Sequence, residues 1–392
     1  MTESNLGHKL KNSTSKMTNC AKLALLVIVP IFYGCYKKTS NESDQGESPI
    51  TSGKSIIVES KPNIHLSHVI ELFVWQGQYP TRPMVMAAQE YFERYKDHPA
   101  ITFSDSLLIN QIFYFDELTE ILLYLEDFPS QDFKYSLSSS PYHEKSEVIK
   151  KWIALLAQFY EEANVEQFLL ENKAYYQGAI NEVKANLPPA DFIDQMESYY
   201  RTTRLSYTIV PAPEMPTGGA YGQRGIGPYV YTEDGLHIYQ VISASLPVQR
   251  VETSDGYDHF GFDNKQFVLR NSYHEFGHAF VNPILEKKEN QKLIKRYEGS
   301  FTPSLKEAML EQNYNNWSDC VAEHLVRLGE IRLAERSGYP DWAERLRAYH
   351  TDSLGFVFLP ALEQKILEYE EDADYASFEA YLPMLLSTFE KE

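Results

Sequence analysis

Residues 271–283 read Asn-Ser-Tyr-His-Glu-Phe-Gly-His-Ala-Phe-Val-Asn-Pro, and two histidines in this run stand four positions apart. On an α-helix, His274 and His278 lie one turn apart on the same face, so both imidazoles can bind one metal ion. Glu275 is rotated to the side of that face, where its carboxylate can take a proton from a zinc-bound water. The run therefore predicts a zinc site with Glu275 as general base. The alternative is a surface helix with two solvated histidines, which the apolar residues around the motif disfavour.

The flanking residues predict where the motif helix begins and ends. Asn271 and Ser272 are good N-cap residues, and Pro283 marks a stop or a kink. The β-like residues 267–269 come directly before the helix. We therefore expect the motif helix to follow a strand.

A catalytic zinc site needs a third protein ligand and an open position for water. Residues 316–325 read Asn-Trp-Ser-Asp-Cys-Val-Ala-Glu-His-Leu, in which Ser318 or Asp319 can cap a long helix that runs to about Arg336. Glu323 lies on that helix and is the predicted third ligand.

Other interpretations of the same region stay open. Residues at helical spacing can form an ion-pair ladder on a solvated face, namely Asp319, Glu323, Arg327 and Glu330. The third ligand can instead be an imidazole, and the rival histidines are His324, His259 and His350. A donor to the oxyanion is also expected beside the zinc, and spacing does not single out one of Tyr349, His350, Tyr273 and Tyr314.

The string HEFGH, with a carboxylate on a later helix, resembles the gluzincins, which are thermolysin-like peptidases of the zincin type. The chain also resembles uncharacterised bacterial lipoproteins of zincin type, through residues 272–283 and 317–327 and more loosely through 91–101. The resemblance implies a zincin-like fold, a bound Zn²⁺ and a peptide or protein substrate. Two features depart from it: the gap between His278 and Glu323 is longer, and Arg327 stands where those enzymes have an Asp. Support for a ligand histidine must then come from elsewhere, with Asp319 as the candidate.

The N-terminal segment is typical of an exported protein. Lysines precede the apolar run 23–33, which is too short to cross a bilayer comfortably but suits the core of a signal peptide. The following Gly34-Cys35 resembles the lipobox of bacterial lipoproteins, which implies a lipid on Cys35, a membrane tether and a place in the cell envelope. The alternatives are a signal peptide cut elsewhere or an uncleaved anchor, and Met17 is an alternative start.

Composition excludes some classes of function. The chain has 36 Lys plus Arg against 55 Asp plus Glu, a formal charge of −19, so its field repels phosphate backbones and nucleic acid is not an expected partner. Only three cysteines are present, and Cys320 has no obvious disulfide partner. No disulfide framework is therefore expected.

Patterning along the chain predicts an α+β fold. We expect residues 1–34 to form the signal peptide, 35–60 a flexible tether and 61–200 a helical region, and the resemblance implies that 201–392 form the zincin-like catalytic region. Residues 205–210 alternate as a strand, and 229–244 are typical of a hairpin that turns at Asp234-Gly235. The expected architecture is mostly helical, with a small antiparallel sheet before the motif helix.

These observations favour a membrane-tethered zinc metallopeptidase. Two rivals remain: a non-catalytic surface lipoprotein that uses the same scaffold to bind a glycan or protein, and a zinc hydrolase of esters or amides outside proteins. The glycine-rich residues 218–222 can be the sheet edge at which an extended substrate pairs, or a plain loop.

Overall fold

The structure is a computed structural model and describes residues 53–75, 82–217, 222–253 and 256–390. Its α-helices are α1 (Pro62–Val74), α2 (Pro83–Phe92), α3 (Pro99–Ile109), α4 (Phe115–Leu122), α5 (Ser146–Glu162), α6 (Val165–Glu171), α7 (Lys173–Ala185), α8 (Phe192–Tyr200), α9 (Lys265–Leu285), α10 (Lys288–Arg296), α11 (Pro303–Glu311), α12 (Trp317–Arg336), α13 (Pro340–Ala348), α14 (Leu359–Glu371) and α15 (Phe378–Leu386). Its strands are β1 (Ile56–Val58), β2 (Ser206–Pro211), β3 (Gly225–Ile226), β4 (Tyr229–Thr232) and β5 (Gly235–Ile242). The predicted α+β class, mostly helical with one small sheet, is confirmed.

The sheet is mixed, so the prediction of an antiparallel sheet is wrong. Its order is β1-β2-β5-β3, with β4 also paired to β5. The predicted hairpin is present, because β4 and β5 pair antiparallel and Thr232 lies opposite Gly235. However, β5 lies between β4 and β2 and runs parallel to β2, which in turn runs parallel to β1. Strand β5 is thus antiparallel to its hairpin partner β4 on one side and parallel to β2 on the other.

Strand β1 shortens the predicted tether. Ile56, Ile57 and Val58 are β-branched residues that favour extended backbone, and Ile57 lies opposite Thr208 of β2. The end of the predicted range 35–60 is therefore part of the sheet. Residues 35–52 lie outside the described residues.

The two faces of the sheet pack against different layers of helices. Side chains alternate between faces along a strand, and in β2 Ile209 faces a core shared with α8, α9 and α12, while Val210 faces a core shared with α1 to α6. The N-terminal helices therefore cover one face and the motif helix α9 covers the other. Within the described ranges, no helix is both long and apolar enough to cross a membrane.

Helix α9 begins earlier than predicted. Asn264 is its N-cap, and the Asn264 side chain accepts a hydrogen bond from the backbone N–H of Phe267. The predicted caps Asn271 and Ser272 lie inside the helix, and residues 267–269, predicted as strand-like, form its first turns. Burial of that apolar segment outweighs its strand propensity.

Pro283 does not stop helix α9, which continues to Leu285. A proline in a helix leaves the carbonyl four residues earlier without its N–H partner. That carbonyl belongs to Ala279, and the Arg204 guanidinium donates to it from Nε at 3.1 Å and from Nη2 at 3.0 Å. The side chain of Arg204 thus replaces the missing backbone donor.

Helix α12 extends to Arg336, as predicted, and packs against α9. Its N-cap is Asn316 rather than Ser318 or Asp319, because the Asn316 side chain accepts from the backbone N–H of Asp319. The neighbouring pair α9 and α12 brings two distant parts of the sequence together at one site.

Candidate metal centre

The structure brings together the three predicted metal ligands. Nε2 of His274 and Nε2 of His278 are 3.3 Å apart. Glu323 Oε1 lies 3.4 Å from His278 Nε2, and Glu323 Oε2 lies 3.8 Å from His274 Nε2. Tetrahedral zinc with bonds of about 2.0–2.2 Å separates its ligand atoms by roughly 3.3–3.6 Å. The three side chains therefore have nearly the spacing that such an ion requires.

The chemistry of these donors fits a cation. Burial lowers the pKa of His278 to about 4, although Glu323 opposes the shift, so the imidazole is neutral and offers a lone pair. Burial alone would raise the pKa of Glu323, but Arg327, His278 and His274 outweigh it and hold that pKa below its usual value. Glu323 Oε2 is buried and makes no hydrogen bond within the described part of the chain. An ionised carboxylate that faces two imidazole nitrogens is a donor set that zinc prefers.

Two carboxylates border the histidines, and their environments separate their roles. Atoms of His274, Glu275 and His278 that can act as ligands lie within 4.8 Å of one another, so Glu275 is also near enough to be considered as a ligand. Burial raises the pKa of Glu275 to about 7, against the opposing effect of His274. Glu323 lies close to both Nε2 atoms and is held ionised, which suits a metal ligand, whereas the raised pKa of Glu275 suits a group that accepts a proton.

Arg327 and Tyr314 lie beside the Glu323 carboxylate. Arg327 is fully buried, and its Nη2 lies 3.2 Å from Glu323 Oε2. The same Nη2 donates to the Tyr314 hydroxyl at 3.2 Å. The ladder on a solvated face is thus wrong, because Glu323, Arg327 and Glu330 are all buried. The i, i+4 pair itself exists inside the protein and orients the carboxylate toward the histidines.

Support for His274 comes from Glu330 and not from Asp319. Glu330 Oε2 lies 3.6 Å from His274 Nδ1, on the side of the ring away from His278. The same carboxylate is held by His350 Nε2 and by Arg270 Nε, each at 3.1 Å. Burial would raise the pKa of Glu330, but these neighbours hold it well below its usual value. Glu330 is therefore a buried anion beside the imidazole.

Asp319 takes part in capping instead. Its carboxylate accepts a hydrogen bond from Asn316 at 2.6 Å, at the first turn of α12. The sequence signal for Glu330 was its position seven residues, about two helical turns, after Glu323. In the sequence analysis Glu330 appeared only in the alternative of a solvated ladder, because helical spacing alone does not show which face is buried.

The rival third ligands lie elsewhere. His324 donates from Nδ1 to the backbone oxygen of Cys320 at 2.7 Å and packs its ring against Phe356. His259 lies 3.1 Å from Glu182. His350 contacts Glu330, as described above. Cys320, the one cysteine among the described residues, is buried.

Among the four candidates for an oxyanion donor, Tyr314 lies nearest to the predicted ligands. Burial and the neighbouring Glu323 raise the pKa of Tyr314 well above its usual value, so its hydroxyl stays protonated. Tyr273 instead shares a hydrogen bond of 2.7 Å with Ser337, and the ring of Tyr349 lies 5.6 Å from the Arg270 guanidinium. Tyr314 is thus the candidate that the structure places beside Glu323.

Strand β3 touches Glu275 without any side chain between them. A Cβ atom added to Gly225 would lie 2.6 Å from Glu275 Oε1, and one added to Gly227 would clash with the backbone oxygen of Glu275. At Gly227 the clash is with rigid backbone, so only glycine fits there, whereas a Cβ atom at Gly225 would force the end of the Glu275 side chain to move. The motif helix and the outer strand of the sheet therefore meet at the proposed base, a feature that sequence reasoning missed.

Two other predictions cannot be located. Cys35, the predicted lipidation site, and residues 218–221 of the glycine-rich run lie outside the described residues.

Residues 56–388 match the family model described as "Domain of unknown function (DUF4932)", and the chain belongs to this family. No curated protein and no solved structure matches the chain.

Proposed function

We propose that the chain is a zinc-dependent hydrolase that cleaves peptide bonds, with His274, His278 and Glu323 as metal ligands and Glu275 as general base. The observation that carries the proposal is the spacing of 3.3 to 3.8 Å among the three donor groups, with Glu275 beside them. When bound, zinc supplies a Lewis acid that polarises a carbonyl and lowers the pKa of water to about 7.

Glu275 is suited to move a proton. It is 3% exposed, and burial raises its pKa to about 7. A general base works best when its pKa is near the working pH, because it is then partly ionised and still binds a proton well. The carboxylate accepts the proton of the attacking water and then delivers it to the leaving nitrogen. Tyr314, whose hydroxyl is protonated, is the proposed donor to the developing oxyanion.

The position of β3 supports a peptide as substrate. β3 is the last strand in the order of the sheet and lies directly against Glu275. An extended peptide can pair with an outer strand through backbone hydrogen bonds, and this mode of binding suits a peptide better than an isolated ester. A zincin-like fold remains part of the proposal.

Metal analysis and hydrolysis of a peptide library by the purified full chain test the proposal. We expect one zinc per chain, lost in His274→Ala and retained in His143→Ala, a control at an exposed histidine. Glu275→Gln should keep the zinc and lose hydrolysis. A zinc-loaded wild type that cleaves no peptide would favour the binding scaffold, and retained hydrolysis in Glu275→Gln would refute the role of this residue.

We further propose that a lipid on Cys35 tethers the chain to a membrane of the cell envelope. Metabolic labelling with a radioactive fatty acid should mark the wild type and not Cys35→Ala. Equal labelling of both would refute this anchor.

A further inference from the structure

Residues 224–227, which comprise β3 and one residue on either side of it, alternate between the two layers of the protein. Gly225 and Gly227 face α9 and Glu275, as described above. Ile226 faces the opposite core, which belongs to the N-terminal helices. Arg224 is two residues before Ile226 and points to the same side, because successive side chains in an extended segment alternate. The N-terminal layer thus holds the strand from the face opposite Glu275.

Arg224 links this strand to two N-terminal helices. Its Nη1 lies 2.5 Å from Glu71 Oε1 on α1, and its Nη2 lies 2.8 Å from Asp116 Oδ1 on α4. Glu71 is fully buried, Arg224 is 6% exposed, and the second oxygen of Glu71 lies 2.9 Å from His68 Nδ1. The buried guanidinium therefore bridges one buried carboxylate, Glu71, and one half-exposed carboxylate, Asp116.

The backbone of Arg224 is hydrogen-bonded to Ser243, the residue that follows β5. Its N–H donates to the Ser243 hydroxyl at 2.9 Å, and its carbonyl accepts from the Ser243 N–H at 2.9 Å. Gly225 follows at once and lies opposite Ile242 of β5. A displacement of Arg224 should also move Gly225, because one peptide bond joins the two residues. Gly225 has no Cβ atom, so its backbone is in direct contact with Glu275.

We infer that Arg224 is a positioning residue for Glu275, acting through Gly225, and that Glu71 and Asp116 hold it in place. The inference rests on the proposed function, since it assigns the N-terminal helices a part in the hydrolytic site. A buried ion pair by itself is weak grounds for a stabilising role. Arg224, however, comes one residue before Gly225, which contacts Glu275, and we therefore assign the ion pair a role in positioning Glu275.

Arg224→Lys tests the inference in the full chain. Lysine keeps the positive charge, but a single ammonium cannot reproduce the planar fork that bridges two carboxylates. Arg332→Lys is the matched control, because Arg332 is 8% exposed and bonds to both oxygens of Glu370 at 2.9 and 2.8 Å, away from β3. Asp116→Asn is a second variant, which removes the negative charge that pairs with Arg224 Nη2. Because the Asp116 side chain is half-exposed, we expect this variant to fold.

Two measurements are made on each variant. Hydrogen exchange reports the opening of residues 223–227, and steady-state kinetics separates kcat from KM. Arg224→Lys should speed exchange in this segment and lower kcat by about 10- to 100-fold, with KM and zinc content unchanged, since a small misplacement of a reacting group has an effect of that size. Asp116→Asn should show the same changes to a smaller degree, and Arg332→Lys neither.

The outcomes separate this inference from the proposed function. Unchanged exchange in Arg224→Lys and Asp116→Asn would overturn the inference, as would faster exchange with an unaltered kcat. A wild type without zinc and without turnover would overturn the proposed function and the catalytic half of the inference together. Exchange would then still decide whether Arg224 holds the strand.

Discussion

Glu330 and His274 lie on different helices, and Oε2 of the first is 3.6 Å from Nδ1 of the second. The other nitrogen of His274 faces His278 and Glu323. The ring is thus placed with one nitrogen toward the proposed metal and the other toward a buried anion, the arrangement that typically orients a metal-binding histidine.

Replacing Glu330 with Gln should weaken zinc binding by about 10- to 100-fold, because the amide lacks the charge that orients and polarises His274. Competition with a chelator of known affinity measures the change. Glu335→Gln is the control on the same helix, since Glu335 is itself exposed and pairs with Arg332 rather than with His274. An unchanged zinc affinity in Glu330→Gln would show that His274 needs no such partner.

The two glycines that touch Glu275 should respond differently to alanine. Gly225→Ala places a methyl group against the movable end of the Glu275 side chain, so the protein should fold and bind zinc but lose most of its kcat. Gly227→Ala meets the rigid backbone of Glu275 and should lower the free energy of unfolding, by about 1–3 kcal/mol. Thermal unfolding and kinetics distinguish the two effects. Gly299→Ala, with open space around it, should change neither.

Tyr314→Phe should lower kcat by about 10²-fold if the hydroxyl stabilises the oxyanion, with zinc content retained. Tyr273→Phe is matched in chemistry, but its hydroxyl bonds to Ser337 away from the metal ligands. That control should lose about 1 kcal/mol of stability and keep its kcat. A Tyr314→Phe variant with wild-type kcat would remove this tyrosine from the mechanism.

Arg204 and Pro283 should be energetically coupled through the carbonyl of Ala279. Arg204→Met removes both donors to this buried oxygen and should lower the free energy of unfolding by about 1–3 kcal/mol. In a Pro283→Ala background the helix regains its own N–H donor, so the same change should have a smaller effect. A double-mutant cycle from denaturant unfolding measures the coupling, and strict additivity would contradict it.

Glu120 should make stability fall as the pH rises. Burial raises its pKa to about 8, although the Tyr229 N–H and the Tyr142 hydroxyl hydrogen-bond to it. The folded state therefore holds this proton when the unfolded chain, with a pKa near 4.5, has already lost it. The contribution of Glu120 to the free energy of unfolding is fully present below about pH 4.5 and is lost as the pH rises to about 8.

Glu120→Gln removes that dependence. The free energy of unfolding of the variant, minus that of the wild type, should increase by up to about 1.4 kcal/mol per pH unit between pH 5 and 8. Above pH 8 this difference should change little. Urea unfolding at a series of pH values measures the difference. A constant difference across that range would show that Glu120 is ionised in the folded protein.

Local patterns in the sequence predicted much of the fold. The alternation at residues 205–210 and the turn at Asp234-Gly235 predicted β2 and the β4–β5 hairpin, because both signals depend on neighbouring residues alone. The start of α9 was missed, since residues 267–269 favour a strand locally and are helical only because that segment packs in the core. Parallel pairing of β2 with β5 was missed for a similar reason, as it joins segments that are distant along the chain.

By itself, the sequence determined the pair His274 and His278 and the neighbouring Glu275, because four residues are one helical turn and the geometry of a helix is local. It also identified Glu323 as a candidate among several. Only the tertiary structure showed which candidate lies beside the histidines, because α12 packs on α9 so that Glu323 faces them and His324 does not. The same packing brought Glu330 to His274, and the sheet brought Gly225 to Glu275, since contacts between distant segments depend on how whole elements pack.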